Sequence, residues 1–176
     1  MVFNKKRLYV ALYPSGVANN EERMYHWGFL IGLKLESQQQ VPGVRYHVKN
    51  SPLTGWVYEE APLPNVRSTV NLLARVLIAK IEDEDRLVET LRGTPVVQDD
   101  PAWRCSTRLA NALRRIQQGD GPRKAVGTAQ LDWARIEPVA RDYVARKRAS
   151  GRYERGVDLL LPKPTWDLLE ERELVA

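Results

Sequence analysis

The stretch MYHWGFLIGLKLESQQQVPGVRYHVKN, residues 24–50, carries both histidines of a 176-residue chain, each inside a run of β-forming residues. Residues 24–35 read as one strand and residues 44–50 as the next, with SQQQVPG as the break between them. Consecutive strands joined by turn-forming residues pair most simply as an antiparallel hairpin. Setting His26 opposite His47 makes paired residue numbers sum to 73 and places Gly32 against Val41 near the loop. A slip of two residues keeps both rings on one face at a diagonal of ~7–8 Å. A slip of one sends them to opposite faces.

Working outward, RLYVALY (residues 7–13) alternates as a strand and PSGVANNEER forms the loop before residue 24. GWVYEEA is a fourth strand. LLARVLIAKI (residues 72–81) fits strand or helix, and its Val and Ile content with the IEDED that follows favours strand. Helical signals then take over. EDEDRLVETLRG has acidic residues at its start and Gly93 at its end. In DDPAWRCSTRLANALRRI (residues 99–116), Asp100 and Pro101 read as the cap and first turn of a helix running to about Gln118. Its Leu109, Ala112, Leu113 and Ile116 share one face. LDWARIEPVARDYVARKRA is a further helix, which Pro138 either kinks or begins. The expected fold class is α+β: an antiparallel sheet of four to six strands with packed helices. One domain is expected, mainly β-sheet over 1–81, mainly helical over 82–150, with a C-terminal extension over 151–176.

Composition narrows the classes. The chain is 43% apolar, long enough to bury a core, and has one cysteine, so no disulfide framework exists. MVFNKKRLYVALY moves straight into a strand pattern rather than a secretory leader. No apolar run approaches the ~18 residues of a membrane span. A soluble, cytoplasmic protein in a reducing compartment is expected. The net charge of +5 is scattered among 22 carboxylates, and its densest cluster, ARKRASGRYER, lies at a helix end where cations are favoured. The aromatic-basic interleaving that stacks bases is absent, so no nucleic-acid partner is expected. One Cys and two His leave a zinc site short of ligands, and GDGPRKAVG lacks the ending of a phosphate loop and reads as a turn. No metal or cofactor is expected.

Cys105 is the single thiol, near the head of a helix whose partial positive charge favours thiolate. Two readings stand for it: a small buried apolar residue, or a nucleophile. Either histidine taken alone reads as a structural imidazole. Taken together the three permit a relay in which one imidazole deprotonates the thiol and the other orients it. Trp27 and Trp103 flank these residues; core packing is their ordinary role, and part of their surface is available to line an acyl or peptide pocket.

YHWGFLIG, then RYHVKN, then a helix-opening WRCSTRLANAL resembles the lecithin:retinol acyltransferase-like thiol enzymes over about residues 7 to 118. These are circularly permuted members of the papain-like, cysteine-peptidase-like fold, and the permutation places histidine before cysteine. The chain is also similar to fungal proteins sharing the three segments. The resemblance implies His26 as general base, His47 as its orienting partner and Cys105 as nucleophile. It implies a hydrolase or acyltransferase acting on a small-molecule ester, thioester or amide, or on a peptide, through an acyl-enzyme. Two alternatives stay open: an isopeptidase or deconjugating peptidase of related fold, and a non-catalytic relative that uses the groove to bind a partner. A catalytic thiolate of this kind would alkylate quickly at pH 6 to 7.

Overall fold

The computed structural model describes residues 5–119 and 122–176; Asp120 and Gly121 of the expected GDGPRKAVG turn lie outside them. Five long strands come first: β1 (Lys6–Pro14), β2 (Tyr25–Leu33), β3 (Gly43–Ser51), β4 (Gly55–Leu63) and β5 (Ala74–Ile81). Helices α1 (Glu84–Gly93) and α2 (Cys105–Gln118) follow, then β6 (Val126–Ala129), α3 (Trp133–Ala149), a 3-10 turn (Gly156–Leu159), β7 (Thr165–Asp167) and β8 (Arg172–Val175). The architecture is α+β, with a mixed eight-stranded sheet ordered β4-β3-β2-β1-β5-β7-β8 and β6 also paired to β5.

The central strand β1 is buried on both faces, and its alternation divides the core. Leu8, Val10 and Leu12 join Trp27, Phe29 and Ile31 of β2 on the face that the helices cover. Leu109, Ala112, Leu113 and Ile116 of α2 are all buried there, as their spacing requires. Each fully buried branched side chain contributes roughly 1.5–3 kcal/mol of transfer free energy. Tyr9, Ala11 and Tyr13 point to the opposite face, with Leu30.

Four expectations need correction. The sheet has eight strands rather than four to six, because short strands late in the chain add to its β5 side. The sheet is not wholly antiparallel: β7 pairs in parallel with β5, Arg75 opposite Thr165. The link between them includes α3, the kind of crossover that parallel pairing needs. Residues 151–176 are accordingly more than an extension, since β7 and β8 complete one side of the sheet. Fully buried Arg75 fastens this side by donating to Thr165 Oγ1 at 3.0 Å and to both Glu36 carboxylate oxygens at 2.8 and 2.9 Å. Finally, Asp100 does not cap α2. Its carboxylate and carbonyl accept from Ala102 and Trp103 N-H, which closes a separate turn, and the helix opens at Cys105. Trp103 forces the interruption by burying its ring edge-on against Trp56 at 5.2 Å. Pro138 lies inside α3, whose true cap is Asp132, accepting from Ala134 N-H. No helix among the described residues is long and apolar enough to cross a membrane.

Candidate active site

The β2-β3 register pairs Phe29 with Tyr46 and Gly32 with Gly43, so paired numbers sum to 75 rather than 73. A shift of two preserves the side-chain parity, and the histidines stay on one face. In β1-β2, Tyr13 lies opposite His26; in β3-β4, His47 lies opposite Glu59. Tyr13, His26, His47 and Glu59 therefore form a row across four neighbouring strands. His47 is diagonal to His26 because the position facing it on β2 is Gly28. A Cβ there would lie 3.1 Å from His47 Cβ and 3.3 Å from Tyr46 O, so the glycine opens the path between the imidazoles.

His26 Nε2 lies 2.8 Å from His47 Nδ1, and His47 Nε2 lies 2.9 Å from Glu59 Oε1. These contacts fix the proton positions. Lys49 and His47 hold the Glu59 carboxyl down to about 2, so it is ionised and only accepts. His47 must then donate from Nε2, which leaves its Nδ1 as an acceptor. His26 donates Nε2-H to that atom, and its own Nδ1 carries a lone pair. The chain thus presents an unprotonated His26 Nδ1, the form a general base requires. Burial, then the neighbouring His47 and Arg45, push His26 down to about 4. Burial also lowers His47, against the opposing effect of the hydrogen bond it donates to Glu59.

Cys105 is the first residue of α2, with Thr107 Oγ1 accepting the Arg104 N-H at 3.1 Å just before it. The β2-β3 ladder stops at Phe29 and Tyr46, so Trp27 N-H has no β3 carbonyl to meet. It donates instead to Cys105 Sγ at 3.5 Å. The thiol of a helix on one face of the sheet is in this way drawn to the strand that carries His26 on the other. Cys105, His26 and His47 line one cleft of about 630 Å³, together with Tyr13, Arg45 and Trp56.

Trp27 N-H is the thiol's partner outside its own helical turn; no hydrogen bond joins it to an imidazole among the described residues. Burial pushes the thiol above its ordinary range, outweighing the nearby N-H groups of Trp27, Ser106 and Cys105 and the charge of Arg104. The pair therefore rests as thiol and neutral imidazole, not as the thiolate that the helix head alone suggests. Trp27 and Trp103 do not line the cleft with their rings. Trp27 packs edge-on against Trp133 at 4.9 Å and Trp103 against Trp56, both in the core. Trp56 is the tryptophan that reaches the cleft.

Glu59, Tyr13 and Arg45 were not singled out from the sequence. The three residues between Ser51 and Gly55 are a hairpin length, and Gly55 adopts the left-handed φ of 66° that such a loop uses. That signal places Glu59 opposite His47. Among the described residues, no group of three or more His, Cys, Asp or Glu side chains is placed to hold a metal ion.

No curated protein and no solved structure matches the chain. A family model matches residues 5–175, which takes in every strand and helix described above, and the chain belongs to that family, a family of unknown function, DUF6914.

Proposed function

We propose that this protein is a cysteine-dependent hydrolase or acyltransferase acting on an ester, thioester or amide, with a permuted papain-like arrangement of its site. The observation that carries the reading is the Glu59-His47-His26 chain, which leaves His26 Nδ1 unprotonated in the cleft that Cys105 lines. As Cys105 Sγ attacks the substrate carbonyl, its proton passes to His26 Nδ1. The resulting imidazolium is stabilised through His47 by the Glu59 carboxylate. First-turn N-H groups of α2 face the developing oxyanion. Collapse expels the leaving group with the proton from His26 and leaves a thioester on Cys105. Water or a second nucleophile, deprotonated by His26, then releases the acyl group and restores the thiol.

A panel of p-nitrophenyl esters, thioesters and anilides, read by leaving-group release, tests the reading. Turnover that disappears in Cys105→Ala supports it. Turnover unchanged in Cys105→Ala contradicts it. A second reading, a non-catalytic groove that binds a partner, draws support from the burial that raises the thiol pKa. It predicts no acyl-Cys105 from any member of the panel.

A further inference from the structure

We propose that the cleft takes a substrate bearing an anionic group, carboxylate or phosphate, which Arg45 and Arg104 bind beside the reacting carbonyl. This rests on the thiol-transfer reading and specifies its substrate class. Four cations, Arg23, Arg45, Lys49 and Arg104, line the cleft against one lining carboxylate, Glu22. Lys49 is paired with Glu59. Arg45 has only a distant share of that carboxylate, Nη2 to Oε1 at 4.0 Å, and His47 already holds the same oxygen. Arg104 donates Nη1 to the backbone carbonyls of Pro101 and Trp103 and has no carboxylate partner among the described residues. The Nε atoms of both arginines are buried with no hydrogen-bond partner. Those Nε atoms are shielded from the cleft, so the remaining guanidinium N-H groups are what an anion meets: two charged forks without a close carboxylate, one on the residue before Cys105 and one two residues from His47, match what a carboxylate or phosphate recognises.

The position of Arg45 adds a mechanism. Its guanidinium lies 5.3 Å over the Tyr13 ring, whose centroid is 5.9 Å from that of His26. That charge opposes protonation of His26 in the empty cleft. An anion seated on Arg45 cancels it and makes the imidazolium easier to form. Proton transfer from Cys105 is then favoured when an anionic substrate is bound, so the preference appears in kcat as well as in KM.

Iodoacetate and iodoacetamide, nearly isosteric and differing in charge, provide the test. Cys105 alkylation is followed by peptide mass spectrometry, and the rate ratio is normalised to free cysteine. The expected ratio favours iodoacetate by about tenfold, the worth of one charge-assisted hydrogen bond. Arg45→Met and Arg104→Met each reduce it several-fold, and Arg45→Lys retains part of it. Arg114→Met, which removes the same charge from the exposed side of α2, leaves it unchanged. Protection against iodoacetamide by succinate or by inorganic phosphate, whichever is stronger, identifies the anion. A normalised ratio near one, a preference that survives both cleft substitutions, or protection by neither anion overturns the anion site while the thiol reading stands. A Cys105 that resists both reagents overturns both.

Discussion

His47 stands between two partners, 2.8 Å from His26 through Nδ1 and 2.9 Å from Glu59 Oε1 through Nε2, and the ionised carboxylate sets the direction of both hydrogen bonds. Glu59 thus decides which nitrogen of His26 is free, although it has no contact with the thiol. The assignment is visible by nitrogen NMR: both neutral rings are expected as the Nε2-H tautomer.

Glu59→Gln replaces an acceptor by a group able to donate or accept. The tautomer is no longer imposed, and kcat/KM is expected to fall about 10–100-fold, the usual effect of losing an orienting partner. Lys49→Met at the same carboxylate serves as the comparison and should cost less, because Glu59 still accepts from His47. An equal loss in the two variants would mean that the Lys49-Glu59 ion pair holds the site in place, not that Glu59 directs the proton.

Gly28→Ala places a methyl 3.1 Å from His47 Cβ and 3.3 Å from Tyr46 O, and the β3 backbone cannot easily withdraw. A stability loss of about 1–3 kcal/mol is expected from overpacking. The loss of activity should be larger than that, because His47 is displaced from its diagonal path to His26. Crystallography of the variant, reading the His26 Nε2 to His47 Nδ1 distance, checks this. An unchanged distance with unchanged activity would remove Gly28 from the site.

His47→Gln and His26→Ala separate the two imidazoles by role. His47→Gln keeps an acceptor for His26 Nε2-H and should be the milder change. His26→Ala removes the proposed base, a change expected to cost ~10²–10⁴-fold in rate. The opposite order, measured on the same substrate, would reverse the assignment.

Acid should destabilise the fold in a defined window. Folded His26 binds its proton near 4, against an ordinary 6.5, so the unfolded chain takes up a proton first as pH falls. The His26 contribution is complete above about 6.5 and is lost progressively down to about 4. Glu59, at about 2 against an ordinary 4.5, adds a second loss below that window. Tm measured between these limits should fall less steeply in His26→Gln than in the parent protein. Parallel slopes would show that His26 is not depressed.

The alternating strands β1 to β4 and the apolar face of α2 were legible because long elements repeat their pattern several times. The hairpin parity was legible too, since an error of two residues leaves both histidines on one face while an error of one does not. The start of α2 was not: Asp100-Pro101 looks like a helix cap, and only the tertiary demand to bury Trp103 between that turn and Cys105 separates them. Strands β7 and β8 span three and four residues, too few for alternation to register, and they exist by tertiary pairing, β7 with β5 from far along the chain and β8 with β7. Burial of Cys105 likewise depends on the gap beside Trp27, a feature of strand register that no local signal carries.

Acylation of Cys105 by p-nitrophenyl acetate, in the parent protein and in His26→Ala, tests the central claim most directly. Nitrophenolate release and intact mass report the same event. The account predicts an acetyl-thioester on Cys105 in the parent and a rate about 10²–10⁴-fold lower in a folded His26→Ala. Equal acylation rates in the two proteins, or a parent protein that never carries the acyl group on Cys105, would contradict it.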